Sequence, residues 1–550
     1  MSQISRRQLL VGAGAATTLA LAGCGGGSDD STDLSGNKVD AMKNFGVGDQ
    51  FKAAKPVTFS IMMLSNPGYP YKKNWPFFSE LAKRTNVSFD STVVPYSDYN
   101  QKRSVMISGG DAPMIIPKTY HPDEQQYVAG GAILPVSEYV DLMPNYQDKV
   151  KRWNLEPNLD GYRQEDGRYY LLPGLHEQPW QDYTLAMRYD ILDKLKLDVP
   201  QSWNDVHDVL TAMKTLLPHS YPFSDRWSVG GGPGQPGANN LLSILSIAYG
   251  TYAGWSWQPA YFDGSAGKFV FPGAMDEYRQ LLQFLHTLVK EELLDPESFT
   301  QQDDQAIQKF SAGKSYVISA NAQEIVNSYR PGIAKIHGAT VKKVPLPTGP
   351  TGAVVPGITR LENGVMISAK ARDSKDFVAM MQFVDWLWYS DAGEVFARWG
   401  IKGKTYTGDP LAGKLTLAPN VTWAGINPSG KKNLQVDYGF FNGVFSYGGS
   451  TKLLDTQFTA EELEFQKLMN QRRTLPVPPP YPFTADEREQ ASLWETNLGD
   501  YVGQQTLKFI LGKRPFSDWS TYLGELKGQN MTNYIDLVNK AYQRFKNKHG

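Results

Sequence analysis

Three strand patterns separated by two helical ones, all within about 60 residues, constrain this chain more than any other feature. Val57-Thr58-Phe59-Ser60-Ile61-Met62-Met63 alternates apolar and polar side chains at period two, the mark of a half-buried strand. A helical stretch follows at 75–84, with Trp75, Phe78, Leu81 and Ala82 on one face. Val87-Ser88-Phe89-Asp90, running on to Val93-Val94, reads as a second strand. Ser97-Asp98 provides an N-cap for a second helix that ends at Gly109-Gly110, and Met114-Ile115-Ile116 is a short buried strand. Strand, helix, strand, helix, strand predicts a parallel sheet covered by helices, an α/β layer.

The remaining chain is long enough for further domains: 550 residues hold several cores at roughly 100–200 residues each. Asp276–Glu292 puts Tyr278, Leu281, Leu282, Leu285, Leu288 and Val289 on one stripe, and Ser374–Tyr389 repeats the pattern with Phe377, Met381, Val384 and Trp388. Pro476 to Pro482 holds five prolines in seven residues, an extended connector. Helices are expected beyond it at 486–510, 515–526 and 531–547. No internal repeat is visible.

The N-terminus reads as an address. Arg6 and Arg7 precede a 14-residue apolar stretch, Leu9 to Ala22, too short for the roughly 20 residues that span a bilayer. Leu21-Ala22-Gly23-Cys24 follows, and Cys24 is the only cysteine, so neither an intramolecular disulfide nor a cysteine zinc site can form. The pattern resembles a bacterial lipoprotein signal (residues 1–23) with lipid attached to Cys24, and Ser5-Arg6-Arg7-Gln8-Leu9-Leu10 resembles a twin-arginine export signal. Gly12-Ala13-Gly14 sits in this apolar stretch with no strand before it, so it is no dinucleotide fingerprint. The Gly/Ser/Asp-rich stretch 24–53 reads as a flexible tether.

Charge excludes some functions. With Arg6 and Arg7 removed, 53 basic residues face 56 acidic ones, a net charge near −3 from 55 and 56 in the full chain. Nucleic acid is therefore not an expected partner. Gly232-Pro233-Gly234-Gln235-Pro236-Gly237 matches G-x-G-x-x-G, but its prolines lack the N–H groups a phosphate cradle needs. Gly403-Lys404-Thr405 lacks the upstream glycine of a P-loop, since position 398 is arginine. No H-E-x-x-H or G-x-S-x-G occurs, and the seven histidines form no i, i+4 pair. No cofactor and no metal site are expected.

Several blocks carry a family likeness. Ser108-Gly109-Gly110-Asp111-Ala112-Pro113-Met114-Ile115, Gly167-Arg168-Tyr169-Tyr170-Leu171-Leu172-Pro173, Met187-Arg188-Tyr189-Asp190-Ile191-Leu192-Asp193-Lys194-Leu195, Pro200-Gln201-Ser202-Trp203 and Lys309-Phe310-Ser311-Ala312-Gly313-Lys314 stand in order. Gly393-Glu394-Val395-Phe396, Gly400-Ile401-Lys402-Gly403-Lys404-Thr405-Tyr406-Thr407 and Gln504 to Gly512 continue the series. Together they resemble family 1 extracellular solute-binding proteins of ABC importers, in the large LplA/LipO-like branch that resembles alginate- and oligosaccharide-binding proteins. The EF-hand-like calcium loop of many members is missing from Leu210 to Val229.

The resemblance implies a two-lobed, periplasmic-binding-protein-like (type II) α/β fold with discontinuous lobes and a helical C-terminal extension. The lobes are expected at 54–173 plus 346–395 and at 174–345 plus 396–550. It implies a non-enzymatic, monomeric, extracytoplasmic lipoprotein, held at the membrane by its lipid alone. Such a protein captures a carbohydrate between closing lobes and passes it to the permease subunits. A peptide- or small-molecule-binding lipoprotein of the same fold is the alternative, and a secreted glycosidase is a more distant one.

A sugar offers an apolar C–H face on which Trp or Tyr stacks, and a rim of hydroxyls for Asp, Asn, Arg or His. His176, Trp180 and Tyr183 sit just past the 167–173 block. Trp255 and Trp257 follow a buried helix. Tyr69 lies at the C-terminal end of the first strand, where open α/β sheets bind ligands. Asp111, Tyr120, Arg188 and Asn321 complete the candidates. Trp386 and Trp388 are expected in the core.

Overall fold

β1 (Val57–Ser65), β2 (Val87–Pro95) and β3 (Ile115–Thr119) form the expected parallel layer, with β1 central. This comes from a computed structural model that describes residues 33–228 and 238–549. The leader, Cys24, the start of the tether and the loop 232–237 lie outside the described residues. Phe59, Ile61 and Met63 bury on one face while Thr58 faces out, but Met62 and Leu64 are buried too, so the second half of β1 is covered on both faces. The helix Pro76–Thr85 starts with proline at its first position, where no N–H is needed, and ends on Asn86 in the left-handed region. The second connecting helix is Tyr99–Ser108.

Two distant segments complete this sheet. β4 (Leu172–Leu175) and β8 (Leu361–Ile367) add antiparallel, giving the order β2-β1-β3-β8-β4. The helix Phe377–Tyr389 is buried at every residue, so its apolar side chains need no polar face; Trp386 and Trp388 are core, as expected.

A second, three-stranded sheet is antiparallel. β5 (Thr184–Arg188) lies between β6 (Val317–Ala320) and β7 (Val341–Lys343). Both faces are covered: Leu185, Met187 and Val317 enter one core with the helix Asp276–Lys290, and Ala186, Ile318 and Ala320 another with Phe310 and Tyr329. The helices Ala485–Ile510, Trp519–Gly528 and Met531–His549 pack on the same lobe, with Tyr278 Oη 2.7 Å from Thr506 Oγ1. Among the described residues no helix is long and apolar enough to cross a membrane.

The two lobes divide the chain differently from the expected boundaries. Leu346 and Val355, expected in lobe 1, bury in the second core. Phe396, Trp423, Phe440, Phe445 and Leu453, expected in lobe 2, bury in the first. The helix Asp391–Trp399 cannot leave the preceding helix, because Gly393 lies directly against it. A Cβ there would stand 1.9 Å from the Trp386 carbonyl oxygen.

The chain passes between the cores three times, near residues 176–184, 356–360 and 454–464. The passages are tied together. The His176 N–H donates to the Arg360 carbonyl (2.9 Å) and the Trp180 N–H to Thr359 Oγ1 (3.1 Å). The Thr451 N–H donates to Glu177 Oε2 at 2.7 Å.

Candidate functional site: a cavity between the lobes

A cavity of about 200 Å³ opens where the passages meet, walled by residues of both lobes. Strand register builds its first wall. Leu361 pairs antiparallel with Leu175, the ladder shifts register just beyond, and next to this pair His176 Nε2 lies 3.1 Å from Glu362 Oε2. Glu362 also accepts the Gly448 N–H at 2.7 Å. Burial alone would raise the Glu362 carboxyl, but His176, the Gly448 N–H and Lys118 together hold it below the usual range. Gly448 has a positive φ of 52°, and a Cβ there would fall 2.2 Å from the Leu175 carbonyl oxygen, so only glycine fits.

Arg398 comes from the last turn of Asp391–Trp399 and is 2% exposed. Its Nη2 donates to the Gly448 carbonyl, while Nε and Nη1 have no acceptor. Burial lowers its pKa against the opposing pull of Glu394 and Glu362. Phe441 lies beneath the guanidinium and stacks on Trp423 at 3.8 Å between ring centroids. Trp180, between His176 and Phe458 at 5.7 and 5.8 Å, keeps a buried indole N–H without a partner.

The second wall is ion-paired. Lys343, at the end of β7, donates to Glu462 Oε1 (2.8 Å) and to the Asp182 carbonyl (2.7 Å), and lies 3.8 Å from the Phe465 ring centroid. Arg330 meets Glu461 at 2.5 Å. Burial pushes the Asp182 carboxyl up to about 6, with Lys343 opposing.

An aromatic mouth adjoins this cavity. Tyr183 follows Asp182 and its ring lies 5.7 Å from that of Trp255, which is 47% exposed. Asn321 Nδ2 donates to Tyr183 Oη at 3.0 Å, while its Oδ1 accepts the Glu324 N–H and caps the short helix Ala322–Glu324. On the first lobe, the C-terminal edges of β1 and β3 carry Tyr69, Lys118 and Tyr120. Lys118 Nζ donates to Tyr120 Oη at 3.4 Å, and the Gly443 N–H donates to the Tyr69 hydroxyl.

Of the candidates, His176 and Trp180 line the cavity itself; Tyr183, Trp255 and Asn321 gather at its mouth; Tyr69 and Tyr120 flank Lys118. Three do not belong. Asp111 is exposed just before β3 begins, at the sheet edge opposite the C-terminal strand ends. Arg188 is tied to Asp190, two residues on, by bonds of 2.8 and 2.6 Å. Trp257 is 4% exposed and packs against Phe271 and Tyr278 in the second core.

Sequence reasoning missed Asp182, Lys343, Glu362 and Arg398. The aromatic density of 423–447, with Trp423, Tyr438, Phe440, Phe441, Phe445 and Tyr447, is the signal that marks this neighbourhood.

Residues 68–394 match the family described as bacterial extracellular solute-binding protein. The fructooligosaccharide ABC transporter substrate-binding protein FusA of Streptococcus pneumoniae is 22% identical, over 90% of this chain and 92% of its own. Lipoprotein LipO of Bacillus subtilis is 23% identical over 70% of this chain and 71% of its own. Among solved structures, the alginate-binding protein AlgQ2 without calcium ion superposes with a TM-score of 0.67 at 19% identity. That match covers 90% of this chain and 99% of AlgQ2. Matched over more than half its length, with two α/β lobes around a shared cavity, this chain belongs to the bacterial extracellular solute-binding proteins.

Proposed function

We propose that the protein captures an oligosaccharide between its lobes and delivers it to the permease subunits of an ABC transporter. The observation that carries this reading is the cavity built from both lobes, lined by Trp180, whose indole N–H has no partner, and by the buried Arg398. A ligand touching both walls stabilises the closed arrangement, because it gains contacts there that the open one lacks. The names of FusA and AlgQ2, both saccharide binders, support the same reading. The cavity lies below the roughly 300–1,000 Å³ of typical ligand pockets, so a longer chain emerges past Tyr183 and Trp255.

The test is calorimetric titration with a panel of oligosaccharides, alongside peptides. Binding of a saccharide without release of new reducing ends is the expected result, and Trp180→Ala with Trp255→Ala together abolishes it. Binding of peptides alone, or turnover of the sugar, would sink the reading.

The address is read in the same way. Cys24 carries the lipid that holds a monomer at the outer face of the membrane, as the name of LipO suggests. Cys24→Ala releases the protein from the membrane fraction. If export uses the twin-arginine route, Arg6→Lys with Arg7→Lys blocks it; unaffected export overturns that route.

A further inference from the structure

The chain between Cys24 and β1 is held by the first lobe from Asp33 onward. Arg372 Nη2 donates to the Asp33 carbonyl (2.8 Å) and its Nη1 to Asn37 Oδ1 (2.7 Å). Asn37 Nδ2 donates back to the Arg372 and Ser374 carbonyls at 2.9 and 2.8 Å, and the Val39 N–H donates to the Lys375 carbonyl at 3.0 Å. These bonds form a clamp. Beyond it, Met42 and Gln382 exchange two hydrogen bonds, and Phe51 is fully buried against Phe383. Residues 33–53 are thus an arm laid on the lobe, and only nine residues lead from Cys24 to its clamped start.

The clamp lies at one pole of the sheet. β8 runs antiparallel to β3, so its end at Ile367 pairs with Ile115 at the start of β3. The Ser368 N–H donates to the Met114 carbonyl (3.0 Å), and the clamp residues follow at once. Tyr69, Lys118 and Tyr120 stand at the opposite, C-terminal pole, on the side of the cleft.

Chain reach then limits orientation. Nine residues span about 30 Å at full extension. A lobe of about 240 residues measures about 45 Å across. An anchor at Cys24 holds the clamped pole close to a bilayer, but is about 15 Å too short to raise that pole by a lobe's width. Turning the cleft towards the bilayer demands that rise. Opening the clamp as far as Met42 frees eighteen residues, about 60 Å, which suffices.

We propose that the clamped pole of the first lobe is a membrane-facing surface. With Arg372 and Asn37 engaged, this pole rests against the lipid bilayer and the cleft faces outward, towards free ligand. The cleft turns to the permease only when the clamp opens. This rests on lipid attachment at Cys24.

The experiment places the lipidated protein in phosphatidylethanolamine–phosphatidylglycerol vesicles that carry an acceptor-labelled lipid. Cys24 is the only cysteine and its thiol is taken by the lipid, so a reporter cysteine labels alone. Donor dyes are attached in Asp373→Cys, beside the clamp, and in Tyr96→Cys, 62% exposed just past the C-terminal end of β2. Energy transfer is expected to be about twofold or more higher from position 373 than from position 96. Arg372→Ala with Asn37→Ala removes that difference. Should the pair fail to fold, inserting a Gly/Ser spacer of about twelve residues after Gly27 lengthens the reach with the clamp intact, and removes the difference too. Equal transfer from both positions in the unaltered protein, or a difference that survives the spacer, would overturn this inference and leave Cys24 as the anchor. A protein absent from the membrane fraction would overturn both.

Discussion

The two ends of the cleft are built on different principles. At the cavity end, Glu362, Gly448, Arg398, Lys343 and Glu462 are held by named bonds and by backbone that tolerates no side chain. At the mouth, Trp255 stands 47% exposed against the ring of Tyr183, a ring contact rather than an ion pair. The inner end can discriminate, because a wrong ligand leaves buried polar groups unpaired. The mouth can only stack, which is tolerant of ligand identity. The proposed function thus places selectivity at the first end and tolerance at the second.

The sharpest break in this contrast is Lys343→Met. It strips the partner from buried Glu462 and the nearest cation from Asp182, and destabilises the fold by about 3–5 kcal/mol in urea titration. Next comes Trp180→Ala, which weakens saccharide binding by about 100-fold, the size typical of a buried aromatic anchor, while the urea midpoint stays close to that of the parent.

Asp182→Asn gives a smaller, pH-dependent effect. Its carboxyl is pushed up to about 6, so the native state holds that proton more tightly than the unfolded chain does. The stability it contributes is therefore present at low pH and lost as pH rises from about 4 to 6. The variant is expected to be about 1–2 kcal/mol more stable than the parent at pH 7.5, with the gap closing by pH 4; a gap that widens on acidification reverses the assignment. Trp255→Ala is the mildest: about 3- to 10-fold weaker binding and an unchanged melting temperature, as befits a ring with half its surface in water.

Much of the fold is written in local pattern. β1 to β3, the helices Asp276–Lys290 and Phe377–Tyr389, and the three C-terminal helices stand close to where period two and period 3.6 put them. Residues 400–450 carry no such period. Their strands are two to four residues long, and their aromatics are placed by turns, so nothing local says which core receives them. The site was half legible for the same reason. Trp255 and Trp257 flank one short turn, and spacing does not reveal that the first faces water and the second the core. Aromatic surplus points to Trp180, which lines the cavity, but Glu362, Lys343 and Arg398 are ordinary charged residues. They become a site only when a strand register and a glycine contact bring them together.

The three passages between lobes also set a timetable for synthesis. The first core draws on residues from Phe51 to Leu453 and the second on residues from Leu185 to Tyr542. A nascent chain reaching residue 395 has therefore closed neither, although N-terminal units of most multidomain proteins fold first. The chain must emerge through Leu453 before the first of these cores can shut and through Tyr542 before the second, so only the small core contained between Ala186 and Val341 can close early in synthesis.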